Sequence, residues 1–132
     1  MGAVDDLHSS FRDAMARVAA PVTVVTTSVD GVPTGTTVSA FASLSITPPM
    51  VLLALDNRGG MIGRVRASGR IGINVLAEDQ ADIAVAVHGL RRGGFAPEQR
   101  VLVLGAGSIG LIALLCARAF GARDVGISAR HA

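Results

Sequence analysis

Leu7, Phe11, Met15 and Val18 recur at the spacing of one helical face, which predicts an amphipathic helix over residues 5–19. Asp5 and Asp6 complement the positive end of its dipole, and Pro21 ends it. The pattern then turns β-branched. Val22-Thr-Val-Val-Thr-Thr-Ser28 and a second run over residues 34–39 flank Asp30-Gly31 and Pro33, the chemistry of a hairpin. A third strand is predicted over residues 50–55 after Pro48-Pro49, then a short helix within residues 60–69 and a fourth strand over residues 71–76. From Asp79 the period returns to 3.6, with Ile83, Val87, His88 and Leu90 on one face and Gly93-Gly94 as the stop. Beyond it, Arg100-Val-Leu-Val-Leu104 reads as a strand of the buried, parallel kind. Gly105-Ala-Gly-Ser-Ile-Gly110 then opens an apolar helix over residues 109–120, and residues 125–128 form a last strand.

The chain of 132 residues, half of them hydrophobic, is sized for one compact domain or two fragments. The single cysteine, Cys116, excludes a disulfide framework, and the start lacks the charge pattern of a signal peptide; both point to a cytoplasmic setting. The longest apolar stretch, residues 109–117, is about half of the ~18 residues that a membrane-spanning helix needs. All twelve basic residues are arginine, they are not clustered, and aromatics make up 3%, so neither a nucleic-acid surface nor a membrane partner is expected. Charge is uneven. Residues 1–83 carry six arginines against eight acids, whereas residues 84–132 carry six against two.

The GxGxxG of Gly105, Gly107 and Gly110 follows a strand and opens a helix, the context in which it reads as a dinucleotide turn. The first glycine allows the turn, the second admits a pyrophosphate, and the third lets helix and strand approach. The acid that would bond the ribose of NAD is absent. The last strand runs instead into Ala129-Arg130-His131, where Arg130 suits the 2′-phosphate of NADP or is simply an exposed arginine. Residues 86–130 resemble the start of the cofactor domain of zinc-type medium-chain alcohol dehydrogenases. That family's zinc ligands have no counterpart: Cys116 lies in an apolar helix, His8, His88 and His131 show no ligand spacing, and no metal is expected.

A second resemblance covers residues 10–84. Phe11-Arg-Asp-Ala-Met15, Pro21-Val-Thr-Val-Val-Thr-Thr27, Gly35-Thr-Thr-Val-Ser-Ala-Phe-Ala-Ser-Leu-Ser45, Pro48-Pro49 and Gly72-Ile-Asn-Val-Leu76 look like the first half of the flavin reductase-like family. The resemblance implies a split β-barrel that binds FMN or FAD, forms homodimers, takes hydride from NAD(P)H and can serve a flavin-dependent monooxygenase. It places Thr37, Ser39, Ala40, Phe41 and Ser43 along the flavin, and Asp56, Asn57, Arg58 and Met61 near its ring or phosphate. The residue types agree with this. Small and hydroxylated side chains let backbone polar groups reach the ring edge, and an arginine offers a charge-assisted contact to phosphate; equally, such residues satisfy a solvated strand and loop.

The family's later strands and its Gly-Asp-His element have no counterpart in this sequence. The expected fold is therefore mixed α/β: an incomplete FMN-binding split β-barrel over residues 1–83, followed by one Rossmann-like βαβ unit over residues 84–132. The two would share a helix at a seam near residue 84, where the charge balance also changes. Two function classes stay open: an NAD(P)H:flavin reductase, or a non-catalytic NADP- or nucleotide-binding chimera whose turn holds a pyrophosphate.

Overall fold

The computed structural model describes residues 2–129; Arg130 and His131 lie outside them. Thr23–Val29 (β1) and Val32–Val38 (β2) form the expected hairpin, closed by Asp30 and Gly31 with φ of 52° and 78°. Two successive positive φ values give a turn whose twist matches that of the strands, which is why Asp-Gly sits there. Phe41–Ser45 (β3) and Met50–Leu53 (β4) form a second antiparallel pair. Met61–Ser68 is a short helix (α2), and Gly72–Val75 (β5) pairs with β1 on the side opposite β2. The larger sheet thus has the order β2-β1-β5.

Val25, Val38 and Met61 are buried together at the centre of this part, with Leu53, Leu55 and Val65 against them. Two polar ties add to it. Thr23 Oγ1 donates to the Val38 carbonyl at 2.8 Å, and Asn74 Nδ2 donates to the Val24 carbonyl at 3.1 Å.

The helix Ala81–Arg92, which we label α3, packs on β2 and β1 and also against the later helix Ser108–Ala119, α4. Ala86, Val87 and Ala117 are buried. The seam expected at residues 83/84 thus falls inside one continuous helix. Arg100–Leu104 (β6) and Asp124–Ser128 (β7) pair in parallel on either side of α4. This C-terminal strand-helix-strand unit is tied to its own entry by the Glu98 amide on the Gly121 carbonyl at 2.7 Å and the Arg123 amide on the Gln99 carbonyl at 2.9 Å.

Four expectations need correction. The first helix, α1, spans Gly2–Met15 rather than 5–19, and the stripe that reads as core is exposed, Leu7 by 69% and Phe11 by 64%. No element among the described residues covers it. His88 is exposed, because the buried side of α3 runs through Ala86 and Val87. The β6 strand alternates half-buried and exposed, with Leu104 80% exposed, since α4 covers one face of a two-stranded sheet and no described element covers the other. Finally, β3 is a strand that the sequence pattern passes over. Among the described residues the strands form three separate sheets, and none closes into a barrel.

Candidate functional site

The candidate residues gather where the chain leaves the larger sheet for the β3–β4 pair. The Phe41 amide donates to the Ser39 carbonyl at 3.0 Å, folding the chain sharply about Ala40 as it passes from β2 to β3. The β3–β4 pairing sets Phe41 opposite Leu53, and the Ala54 amide reaches the Ala40 carbonyl at 3.1 Å. Three residues beyond Leu53 stands Asp56. The fold therefore brings two sequence-distant groups to one end of the pair: Ser39, Ala40 and Phe41 on one segment, Asp56, Asn57 and Arg58 on the other. Ser39, Ala40 and Ser43 are exposed, and Phe41 is half-buried.

Asp56 caps the 3-10 turn Asn57–Gly59: its Oδ1 accepts from the Arg58 amide at 2.9 Å and from Arg58 Nε at 3.4 Å. The amide bond, and then the guanidinium charge of Arg58 and the more distant Arg91, hold its carboxyl below the ordinary value despite slight desolvation. The Arg58 side chain is 92% exposed, so the pair is a surface one whose worth lies in setting the turn. Two other candidates have structural partners. Thr37 Oγ1 donates to the Ala84 carbonyl of α3 at 3.1 Å, and Met61 is buried in the core cluster.

Next to this end lies a cavity of about 340 Å³ between β2, α2 and the α3–β6 connection. Arg58, Arg64 and Arg91 line it, along with Met61, Phe95 and Phe120. Arg91 Nη1 donates to the buried Thr36 Oγ1 at 2.6 Å. Arg64 and Arg91 belong to none of the motifs in the sequence. A signal for Arg91 exists, because it follows the buried Val87 by one helical turn and so shares its face.

In the glycine turn, Gly105 has φ of 113°, and a Cβ at Gly110 would collide with the Gly105 carbonyl oxygen. The third glycine thus serves close helix–strand approach. A Cβ at Gly107 meets nothing within 4 Å, and Gly105, Gly107 and Gly110 border an open cleft of about 410 Å³. Arg130, the remaining candidate, lies outside the described residues.

The flavin reductase like domain family matches residues 15–100. The reductase component of 4-nitrophenol 4-monooxygenase/4-nitrocatechol 2-monooxygenase from Rhodococcus opacus is 45% identical over 76 residues, 58% of this chain and 41% of that protein. The 4-hydroxyphenylacetate 3-monooxygenase reductase component of Salmonella typhi is 37% identical over 97 residues, 74% of this chain and 56% of that protein. Among solved structures, the styrene monooxygenase flavin reductase of Pseudomonas putida S12 superposes with a TM-score of 0.55 at 31% identity, covering 60% of this chain and 51% of that one. The chain belongs to the flavin reductase-like family. It spans about half the length of the curated relatives it matches. The family match runs through α3 and stops where β6 begins.

Proposed function

We propose that this chain binds FMN or FAD at the Ser39–Ser43 and Asp56–Arg58 end of the β3–β4 pair and acts as an NAD(P)H:flavin reductase. The observation that carries the reading is the Ala54–Ala40 backbone bond, which sets the two candidate segments side by side. The residues there fit a flavin. Ser39 and Ser43 are exposed hydroxyl-bearing residues, and Ala40 presents no bulk at the corner. Arg58, poised by Asp56, is 92% exposed and offers a cation suited to a phosphate.

When bound, the flavin supplies the hydride-accepting N5 and the pyridine nucleotide supplies the hydride. The chain's own work is positional. The Ser39 and Ala40 carbonyls are engaged within the corner, so the Ala40 amide is the backbone group it would offer to a bound ring, Phe41 offers an apolar surface, and Thr37 holds β2 against α3 so that the corner keeps its place. Relatives named as reductase components of monooxygenases support delivery of reduced flavin to a separate oxygenase. The exposed apolar side chains of the β3–β4 pair, Leu44, Val51 and Leu52, support pairing with a second copy.

A second reading concerns residues 100–128 alone. The parallel β6–α4–β7 unit, with Gly110 packed on Gly105 and open space at Gly107, supports a Rossmann-like pyrophosphate turn appended to the flavin segment. Under this reading the chain is a two-part molecule, divided within α3.

The test is steady-state oxidation of NADH and NADPH with FMN, FAD or riboflavin as acceptor. Flavin-dependent turnover supports the reductase. A cooperatively melting protein that turns over no flavin while binding NADP would favour the second reading.

A further inference from the structure

Two features of the chain take no part in the candidate flavin site: the exposed stripe of α1 and the surplus of positive charge after residue 84. Leu7, Phe11, Met15 and Val18 all stand in solvent, which an apolar face disfavours. A groove of about 490 Å³ lies between α3, β6 and α4, apart from that site. Val85 and Leu90 of α3, Leu102 of β6 and Ile109 of α4 give it an apolar wall, and Val85, Leu102 and Ile109 are themselves exposed. Gly89 adds no bulk to it, since a Cβ there would meet nothing within 4 Å. The dimensions agree. At 1.5 Å per residue the stripe from Leu7 to Met15 is ~12 Å long, within the ~18 Å of α3 that walls the groove. The charges are also opposite. Residues 2–15 carry three acids against one arginine, whereas residues 84–132, which hold the whole groove wall, carry six arginines against two acids. Arg100 lines the groove, held only by a long surface contact to Asp124 at 3.9 Å.

We propose that α1 of one copy docks its apolar stripe into this groove on a second copy, the exchange being reciprocal about a two-fold axis. The connector supports the exchange. The Ala16, Arg17 and Val18 amides turn back onto the Arg12, Ala14 and Met15 carbonyls, and the Val22 carbonyl accepts from the Leu76 amide, so residues 19–21 alone join the helix to the sheet. A short hinge beside an uncovered element favours trading that element between copies. Reciprocity makes the contact twice, which brings the buried area toward the ~1,200–2,000 Å² of a stable interface. Opposite net charges speed encounter and select which surfaces meet. The contact is separate from the β3–β4 face, and α1, β6 and α4 lie at or beyond the bounds of the family match over residues 15–100. It therefore stands whether or not the chain reduces flavin.

The test is sedimentation equilibrium of the full chain over a concentration series, beside Phe11→Ala and Gly89→Leu, each checked by thermal melt. Both substitutions fall at exposed helical positions, so the fold should survive them. The expected result is self-association of the wild type, with the dissociation constant raised about 10-fold or more in each variant, the scale for losing an aromatic anchor or filling its pocket. A cross-link then identifies the occupant. In a Cys116→Ala background, chains carrying Ser10→Cys are mixed with chains carrying Val85→Cys, both exposed positions, and treated with a short bismaleimide. A link between the two kinds of chain is expected. Should Cys116→Ala fail to melt cooperatively, the masses alone decide. A wild type that stays monomeric overturns the proposal, as does an association that neither Phe11→Ala nor Gly89→Leu weakens, which would belong to another face. Absence of the mixed link, or a link formed only within a chain that carries both substitutions, overturns it too, the latter because α1 would then fill its own groove.

Discussion

The ring of Phe120, just past the end of α4, lies so close over Gly35 of β2 that a Cβ there would stand 2.7 Å from its Cζ. This contact, with α3, seats the strand-helix-strand unit on the larger sheet. Gly35→Val should displace the ring and cost about 1–3 kcal/mol of stability, the usual scale for overpacking. Chemical denaturation checks it. Phe120→Ala in the same background should recover part of the loss, because it removes the ring that the added methyls strike.

The two later glycines of the turn should behave oppositely. Gly110→Ala drives a methyl into the Gly105 carbonyl and should lower stability by about 1–3 kcal/mol or more. Gly107→Val has open space but replaces glycine at the N-cap of α4, so it should cost no more than about 1 kcal/mol, less than Gly110→Ala. If the turn holds a pyrophosphate, Gly107→Val abolishes NADP binding while the protein still melts cooperatively, and equal binding by the variant removes that role.

Thr37 joins a flavin candidate to a structural tie. Thr37→Val removes the hydroxyl that donates to the Ala84 carbonyl and should cost about 1 kcal/mol, since that carbonyl stays within a helix. A loss of flavin affinity well beyond this would show that the hydroxyl also serves the ligand.

Burial pushes the Cys116 thiol above its ordinary value. The neutral thiol is favoured in the folded state. The associated stability is complete below the unfolded pKa and is lost as pH rises through the raised one. Iodoacetamide should accordingly label native Cys116 more slowly than the urea-unfolded chain near pH 8, with its rate profile displaced to higher pH. Equal native and unfolded profiles would contradict the burial.

Where local chemistry dictates geometry, the sequence is readable. Asp30-Gly31 announces a turn that requires positive φ, and Gly105 and Gly110 announce a close strand–helix approach. Phe41-Ala-Ser-Leu-Ser45 has no β-branched residue, and only pairing with Met50–Leu53 makes it a strand. The α1 stripe shows the converse: periodicity records which side chains share a face, and the covering surface is a tertiary matter. The candidate residues of β2, β3 and the loop after β4 were legible as types, whereas Arg64 and Arg91 gain meaning only once α2 and α3 meet over β2. The charge change near residue 84 marks no break in structure, as α3 runs through it.

Whether the Ser39–Ser43 and Asp56–Arg58 segments form a flavin site is decided by equilibrium titration of FMN into the wild type and Arg58→Ala. A flavin site at these segments gives saturable binding by a cooperatively melting protein, weakened in Arg58→Ala by about 1–3 kcal/mol at unchanged melting temperature. A natively folded wild type that binds no flavin, or an Arg58→Ala variant with the parent dissociation constant, would contradict it.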